Sequence, residues 1–335
     1  MNSFIKTMLF PFLFGGSLIY RAGLYLHRKT TISKQVDMPV ISIGNITTGG
    51  TGKTPIVINI LDELGSNLKK AVVSRGYKRK CKKETVVRSN DTDKYGDEPV
   101  LIKKRSPGTM VIVDKNRYKG AKCAKEQKAD ICILDDGFQS WELKRDLDIL
   151  VIDCTSPFGG GNLIPLGRLR EPIGALKRAD CVILNRYNSI DKDNLFKIES
   201  RIKEVNTDIK IFHCFEQIKC FTDLKTGVDF PVEEFKNSDV FCFSGIGNPE
   251  AFYKLMKKIG ATIQGVYKKK DHYKWSEKDI EKIKNQAGKN NLKIITTEKD
   301  AVRLPGQRIE GWFLKMGTEV KEKKEWKRYL NEIIN

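Results

Sequence analysis

The chain has 335 residues, of which 40% are hydrophobic and 31% are charged. This length allows two domains, and the apolar fraction suffices for a packed core, so the composition excludes a globally disordered chain. An excess of Lys and Arg (61) over Asp and Glu (42) gives a net charge of +19, which favours a polyanionic partner such as nucleic acid, an anionic membrane surface or a phosphorylated substrate.

The chain begins with an uncharged apolar stretch from Thr7 to Tyr20, which Lys6 precedes and Arg21 follows. The stretch is short for a membrane span, and no small-residue cleavage site of a signal peptide follows it. We therefore predict a membrane-associating helix over residues 1–30, with an aromatic and apolar face in the bilayer surface and basic flanks on anionic headgroups. A helix buried in the protein core is the alternative.

A predicted strand over residues 39–44 leads into the sequence GNITTGGTGKT, residues 44–54. The usual phosphate-loop pattern, G-x-x-x-x-G-K-[ST], begins with a glycine, but the corresponding residue here is Thr47. The order of strand, glycine-rich turn and helix still favours a phosphate loop, because backbone N–H groups can then point at phosphate oxygens. A purely structural turn is the alternative.

Within this loop, Lys53 is expected to reach the β- and γ-phosphates of a nucleotide, and the Thr54 hydroxyl is expected to bind Mg²⁺. The residues predicted to bind the nucleotide are Thr48, Gly49, Gly50, Thr51, Gly52, Lys53 and Thr54.

A further predicted strand over residues 130–136 ends in two adjacent carboxylates, Asp135 and Asp136. A strand that ends in carboxylates beside a phosphate loop is the expected place for a Mg²⁺ ligand, and a solvated turn is the alternative. Neither LNRYN (184–188) nor TEKD (297–300) matches the N-K-x-D order of guanine-binding proteins, so ATP is favoured over GTP.

The remaining apolar runs predict the architecture. Short runs rich in Val and Ile predict strands that are buried on both faces, and such strands are typical of a parallel sheet covered by helices. They lie at 71–75, 110–114, 148–154 and 180–185, whereas 239–260 and 292–304 predict the strands and helix of a smaller unit. We predict an α/β protein with a helix at 1–30, a P-loop NTP-binding core at 31–213, and a smaller α/β domain with linker strands at 214–335.

Several of these stretches together resemble one family, the tetraacyldisaccharide 4′-kinases. The resemblance runs in order to about residue 304 and rests on GNITTGGTGKTP, VSRGYKRK, YGDEP, ILDDGFQ, LIPLGRLREP, FSGIGNPEAF, DHY and TTEKDAVRL. It implies that a threonine at the first loop position is a feature of the family. It also implies a P-loop kinase with ATP and Mg²⁺ as cofactors, which phosphorylates the 4′-hydroxyl of a tetraacyldisaccharide 1-phosphate, a lipid A precursor, to give the 1,4′-bisphosphate.

The resemblance further implies a location and partners. The enzyme would be peripheral on the cytoplasmic face of the inner membrane, where it would meet its acylated substrate and the lipid surface, and it would not act on nucleic acid. We expect removal of residues 1–28 to weaken membrane binding and to spare ATP binding.

The charge of the transferred phosphoryl group makes Lys53 the predicted catalytic cation. The resemblance places a base at Asp97 of YGDEP, oriented by His272 of DHY. Without it, Asp97 would be interpreted as a helix N-cap and His272 as a structural histidine. The predicted metal ligands are Thr54 and Asp136, with Asp135 and Glu171 as helpers, and the predicted substrate contacts are Arg75, Tyr77 and Arg170, whose alternative is surface ion pairing.

Two positions depart from the family pattern. Ser140 stands where the family has histidine after DDGFQ, and Tyr273 stands where a second histidine is common. The competing hypotheses are another membrane-tethered P-loop small-molecule kinase, a nucleic-acid-binding NTPase suggested by charge alone, and a non-catalytic membrane adaptor. No aromatic and basic stripe typical of single-strand binding supports the second of these.

Overall fold

The computed structural model describes residues 3–76, 79, 85–304 and 309–333, with side chains from residue 9 onward. The strands, in chain order, are Val40–Gly44 (β1), Lys70–Ser74 (β2), Thr85–Val86 (β3), Met110–Val113 (β4), Ile131–Asp135 (β5), Leu147–Asp153 (β6), Cys181–Asn185 (β7), Lys210–Asp223 (β8), Asp229–Phe230 (β9), Asp239–Ser244 (β10), Thr262–Lys268 (β11), Lys293–Thr297 (β12) and Trp312–Val320 (β13).

The α-helices, in chain order, are Ser3–Thr30 (α1), Lys53–Glu63 (α2), Thr92–Tyr95 (α3), Asp97–Arg105 (α4), Arg117–Glu126 (α5), Lys192–Lys203 (α6), Pro249–Ile259 (α7), Glu277–Gly288 (α8), Glu298–Ala301 (α9) and Lys323–Asn331 (α10). Short 3₁₀ helices lie at Ile173–Arg178, Tyr187–Ser189 and Val232–Phe235.

The chain folds into two compact units. The first comprises Met1–Ser89, Ile102–Glu216 and Thr318–Asn335, and the second comprises Asn90–Leu101 and Gln217–Gly317. In the first unit the strand order is β8-β7-β6-β1-β5-β2-β4-β3, and neighbouring strands are parallel except β3 and β4. The predicted parallel sheet is therefore confirmed.

The central strands of the first unit are fully buried. Every residue of β1, β5, β6 and β7 is buried, as expected for strands with helices on both faces. The register pairs Ile43 of β1 with Asp135 of β5, so these two neighbouring strands end at the same edge of the sheet. Ligands of open α/β sheets bind at this edge, outside the carboxyl ends of the strands.

The second unit is a smaller parallel sheet. Its strand β10 pairs in parallel with β11 and β12, and β12 pairs in parallel with β13. Helix α7 begins after Asn248, whose side chain accepts a hydrogen bond from the Ala251 N–H, and ends at Gly260 in the left-handed conformation. The predicted smaller α/β domain is confirmed as a fold.

The division into units differs from the predicted boundaries at two places. Residues 90–101 belong to the second unit, and residues 318–335 return to the first. The second difference has a clear physical reason: Trp326 of α10 is only 1% exposed, packs edge to face on Phe212, and donates from Nε1 to Asn59 Oδ1 of α2 at 3.1 Å. Chain order alone could not predict that the last helix packs beside the first helix of the core.

Helix α1 is longer than the apolar stretch that predicted it. It has 28 residues, and Leu9–Thr30 is long and apolar enough to cross a membrane by length and composition, with a mean hydropathy of 1.3. Phe12 and Ile19 are 78% and 75% exposed, so the alternative of a buried core helix is wrong. Among residues 9–30, Ser17 alone is buried.

Candidate active site

The phosphate-loop sequence forms the connection between β1 and α2. Gly49 and Gly52 have φ values of 108° and 85°, a left-handed conformation that favours glycine. A Cβ at Gly52 would also lie 2.2 Å from Asn185 Nδ2, so a larger residue would displace that side chain. No side chain caps the first N–H groups of α2, which leaves them able to face an anion.

The loop also explains why threonine suits the first position of the pattern. Thr47 is not among the residues with positive φ, so its backbone does not require glycine. Its carbonyl accepts a hydrogen bond from Asn45 Nδ2 at 2.8 Å, and its backbone forms an isolated bridge with Leu169. Asn45, which the sequence did not single out, therefore fixes the entry to the loop.

Asp136 lies among cations at the end of β5. Its Oδ1 is 3.4 Å from Lys53 Nζ and 2.8 Å from Arg170 Nη1, and its backbone has a positive φ of 56°. Burial raises the pKa of Asp136, but the charges of Lys53 and Arg170 outweigh this effect and bring the pKa well below its usual value. Asp136 is consequently an anion at neutral pH.

Asp135 is more deeply buried than Asp136. It is 1% exposed, and its Oδ2 accepts a hydrogen bond from Ser74 Oγ at 3.0 Å. The buried guanidinium of Arg117 donates to the backbone carbonyls of Asp135 and Asp114, at 3.0 and 2.7 Å. Arg117, which sequence reasoning missed, therefore holds the backbone that presents the two aspartates.

Glu171, predicted as a helper at the metal site, is hydrogen-bonded to two neighbouring side chains. Arg178 donates to both carboxylate oxygens, at 2.8 and 3.1 Å, and Gln139 Nε2 donates to Oε1 at 2.8 Å. Gln139 Nε2 also donates to the Asn45 carbonyl. Glu171 thus orders side chains beside the loop, and both of its oxygens are already hydrogen-bonded.

The predicted substrate contacts fall in different places. Arg170 lies at the Asp136 cluster and also donates to Asn45 Oδ1 at 3.2 Å. Arg75 follows β2 and is exposed. Tyr77 lies outside the described residues. Within the described part of the chain, no group of three or more His, Cys, Asp and Glu side chains is arranged to hold a metal ion.

The second unit brings Asp97 and His272 together. His272 Nδ1 lies 2.8 Å from Asp97 Oδ2, and Arg303 Nε donates to the same oxygen at 2.7 Å. Partial burial raises the pKa of Asp97, but the hydrogen bond from His272 and the charge of Arg303 outweigh it, so the pKa lies below its usual value. The three side chains line a small pocket together with Glu98, Leu101 and Lys299.

Arg303 lies in TTEKDAVRL, one of the stretches that resemble the family, but the sequence did not predict it as a site residue. Its side chain is 1% exposed, and its Nη1 donates to the Gly245 carbonyl at 2.8 Å. Asp300, whose Oδ1 lies 3.4 Å from Arg303 Nη1, accepts from Gly245 N–H and from Trp275 Nε1. Hydrogen bonds among Gly245, Asp300 and Trp275 therefore fix the Arg303 guanidinium that donates to Asp97.

Ser140 and Tyr273, the two residues that depart from the family pattern, have different hydrogen-bond partners. Ser140 is 9% exposed; its N–H donates to the Gly137 carbonyl, and its own carbonyl accepts from Arg145 Nη1 at 2.8 Å. Tyr273 donates to Asp279 Oδ2 at 3.0 Å, and Asp279 forms the capping box of α8. Tyr273 consequently stabilises a helix start.

Comparisons with a family model and with individual proteins both identify the same family. The family described as tetraacyldisaccharide-1-P 4′-kinase matches residues 5–335. A tetraacyldisaccharide 4′-kinase of Halothermothrix orenii is 37% identical over 287 residues, covering 80% of this chain and 75% of that protein. One from Elusimicrobium minutum is 34% identical over 313 residues, covering 88% and 82%.

A solved structure is similar over nearly the whole length. It is LpxK from Aquifex aeolicus in complex with ATP, which superposes with a TM-score of 0.80 at 28% identity and covers 99% of this chain and 100% of that one.

Proposed function

This chain belongs to the family of tetraacyldisaccharide-1-P 4′-kinases, and we propose from that membership that it transfers the γ-phosphoryl group of ATP to the 4′-hydroxyl of a tetraacyldisaccharide 1-phosphate. The product is the 1,4′-bisphosphate of a lipid A precursor. The observation that carries the proposal is the family match over residues 5–335, which includes both the phosphate loop and the Asp97 cluster.

For nucleotide binding we propose the loop from Thr48 to Thr54. Its glycine conformations and the uncapped start of α2 support phosphate binding through backbone N–H groups. The hydroxyl of Thr51 is buried and has no hydrogen-bond partner among the described residues, so it suits a phosphate oxygen. Lys53 and Arg170 neutralise phosphate charge, which they can do by turning from Asp136 towards the nucleotide.

A Mg²⁺ ion fits the oxygen donors at the end of β5. Asp136, with its lowered pKa, and the Thr54 hydroxyl are hard ligands of the kind that Mg²⁺ takes in small number, with water and phosphate completing the shell. When bound, the ion would supply positive charge that neutralises the phosphate groups. We propose Asp136 and Thr54 as its ligands, Asp135 as the residue that orders Asp136, and Glu171 as a residue that positions Gln139 and Arg178.

For the acceptor we propose Asp97 as the base. The 4′-oxygen forms a bond to the γ-phosphorus, the bond from that phosphorus to the bridging oxygen breaks with its electron pair on ADP, and the hydroxyl proton passes to Asp97. A carboxylate kept ionised by His272 and Arg303 can accept this proton at neutral pH. A loose transition state demands more of positioning than of base strength, which suits a low pKa.

For the substrate's 1-phosphate we propose the exposed Arg75, together with Tyr77, because a guanidinium binds two phosphate oxygens at once. For location we propose the cytoplasmic face of the inner membrane. The exposed apolar residues of α1 and the net charge of +19 suit a surface of anionic lipid that contains an acylated acceptor.

The test uses the full-length protein in detergent micelles with ATP, Mg²⁺ and a tetraacylated disaccharide 1-phosphate. Mass spectrometry should detect one added phosphate on the distal sugar, and the gain should vanish in Lys53→Ala or when Mg²⁺ is chelated. ATP hydrolysis without phosphate gain by the disaccharide would overturn the acceptor and favour another membrane-tethered P-loop kinase. Sedimentation with anionic lipid vesicles tests the location separately.

A further inference from the structure

Two side chains of α1, Ser17 and Tyr20, form hydrogen bonds with a distant part of the chain. Ser17, the buried residue among positions 9–30 of the helix, donates from Oγ to the Leu163 carbonyl at 2.9 Å and accepts from the Leu166 N–H at 3.2 Å. One turn further on, the Tyr20 hydroxyl donates to the Arg170 carbonyl at 3.0 Å. Contact with a bilayer alone requires neither a buried serine nor a directed phenol hydroxyl.

All three hydrogen bonds reach the same short stretch, residues 162–171, which we call the bridging segment. Internal backbone bonds shape it: the Leu169 N–H donates to the Asn162 carbonyl at 3.0 Å, and the Ile164 N–H donates to the Leu169 carbonyl at 2.9 Å. Ser17 therefore holds one arm of a tight turn, and Tyr20 holds the end of the other arm.

The bridging segment is also hydrogen-bonded to the first half of the phosphate loop. The Thr48 N–H donates to the Arg168 carbonyl and the Arg170 N–H to the Ile46 carbonyl, each at 2.7 Å. Arg168 Nη2 donates to the Thr48 carbonyl at 2.8 Å. These bonds fix the backbone just before Gly49, where threonine replaces the first glycine of the usual pattern.

The same segment supplies a cation to Asp136, the aspartate that we propose as a Mg²⁺ ligand. Arg170 forms the 2.8 Å ion pair with Asp136, while its own carbonyl accepts from Tyr20. Arg170, one of the two cations that pair with Asp136, is thus also bonded through its backbone to a residue of α1.

We propose that Ser17 and Tyr20 are positioning residues of the nucleotide site, and that α1 holds the bridging segment against the phosphate loop in addition to contacting the membrane. The proposal rests on the proposed function in one respect, namely that the loop binds ATP. It reverses our expectation that removal of residues 1–28 would spare ATP binding, because that expectation assigned the helix to the membrane alone.

The test compares Tyr20→Phe and Ser17→Ala with Tyr25→Phe in the full-length protein in detergent micelles. Tyr25 lies on the same helix, is 64% exposed and serves as the matched control. Binding of a ribose-labelled fluorescent ATP analogue with Mg²⁺ should weaken about fivefold in Tyr20→Phe, which loses one hydrogen bond. It should weaken at least as much in Ser17→Ala, which loses two, and stay unchanged in the control. The KM for ATP should rise while the KM for the acylated disaccharide stays constant, whereas general loosening of the fold would raise both.

Equal nucleotide affinity in all three variants would overturn the proposal, as would weaker binding to anionic vesicles with unchanged nucleotide affinity. Failure of the proposed function would look different, because the unmodified protein itself would then bind no ATP analogue or transfer no phosphate. The midpoint of thermal unfolding, measured for each variant, shows that the protein compared is folded.

Discussion

Asp136 of the first unit and Asp97 of the second unit are carboxylates whose pKa is lowered, but their cationic partners are held differently. The cations beside Asp136 remain partly accessible, since the side chains of Lys53 and Arg170 are 15% and 22% exposed. The cation beside Asp97 is Arg303, whose side chain is 1% exposed and is held by the Gly245 carbonyl and Asp300. Accessible cations can transfer to a phosphate, whereas a fixed one can only set the orientation and pKa of its carboxylate.

The largest effect should come from removing Lys53, one of the two partly accessible cations of the first region. Lys53→Ala should lower kcat on the order of 10³-fold or more and also weaken ATP binding, because the lysine neutralises charge in both the bound nucleotide and the transition state. Phosphate transfer and analogue binding measure the two effects. Lys69→Ala, which removes an exposed lysine, is the control. Full activity in Lys53→Ala would show that the phosphate loop does not take part in the reaction.

The second region should show the opposite division between binding and chemistry. Asp97→Asn keeps the shape of the side chain but cannot accept the proton, so we expect kcat to fall about 10²- to 10⁴-fold with ATP affinity nearly constant. Asp91→Asn, which preserves a capping side chain at the start of α3, should be active. If ATP affinity fell in parallel with kcat, Asp97 would lose the role of base.

Removal of Arg303, the fixed cation, should change the pH dependence of the reaction. In the native protein the Asp97 carboxylate accepts protons above its lowered pKa, and this ability is lost as the pH falls through that value. Arg303→Gln should raise the pKa of Asp97, so the acid limb of the pH profile of kcat/KM should move to higher pH. We expect kcat itself to fall about tenfold, because a charge-assisted hydrogen bond is worth roughly 1.5–3 kcal/mol.

The matched control for that measurement is Arg201→Gln, which breaks an exposed arginine–glutamate pair. An acid limb that stays in place in Arg303→Gln would show that the guanidinium supports the fold without tuning Asp97.

The smallest effect should come from Ser140, beside the aspartates of the first region. Its hydrogen bonds to Gly137 and Arg145 are made by the backbone, so Ser140→Ala should change kcat less than about twofold, within the range of a substitution that removes no key contact. Steady-state kinetics at saturating ATP measure this. A loss above tenfold would mean that the serine hydroxyl has taken over the task of the family's histidine.

The sequence by itself determined the features that depend on neighbouring residues. The buried strands, the helix that starts at the phosphate loop and the adjacent aspartates at the end of β5 were all predicted, because backbone path and burial follow from short-range pattern. The pairing of Asp97 with His272 came from resemblance to a family, since the two residues are 175 positions apart and no local pattern links them.

Only the tertiary structure decided which distant side chains meet. Arg303 lies 206 residues from Asp97, Tyr20 lies 150 residues from Arg170, and Trp326 lies 267 residues from Asn59. An arginine, a tyrosine or a tryptophan looks the same in the sequence whether it faces solvent or completes a site. Its partner is set by the path of the whole chain, because a hydrogen bond requires its two atoms to lie about 3 Å apart, and periodicity within a single element cannot impose that condition.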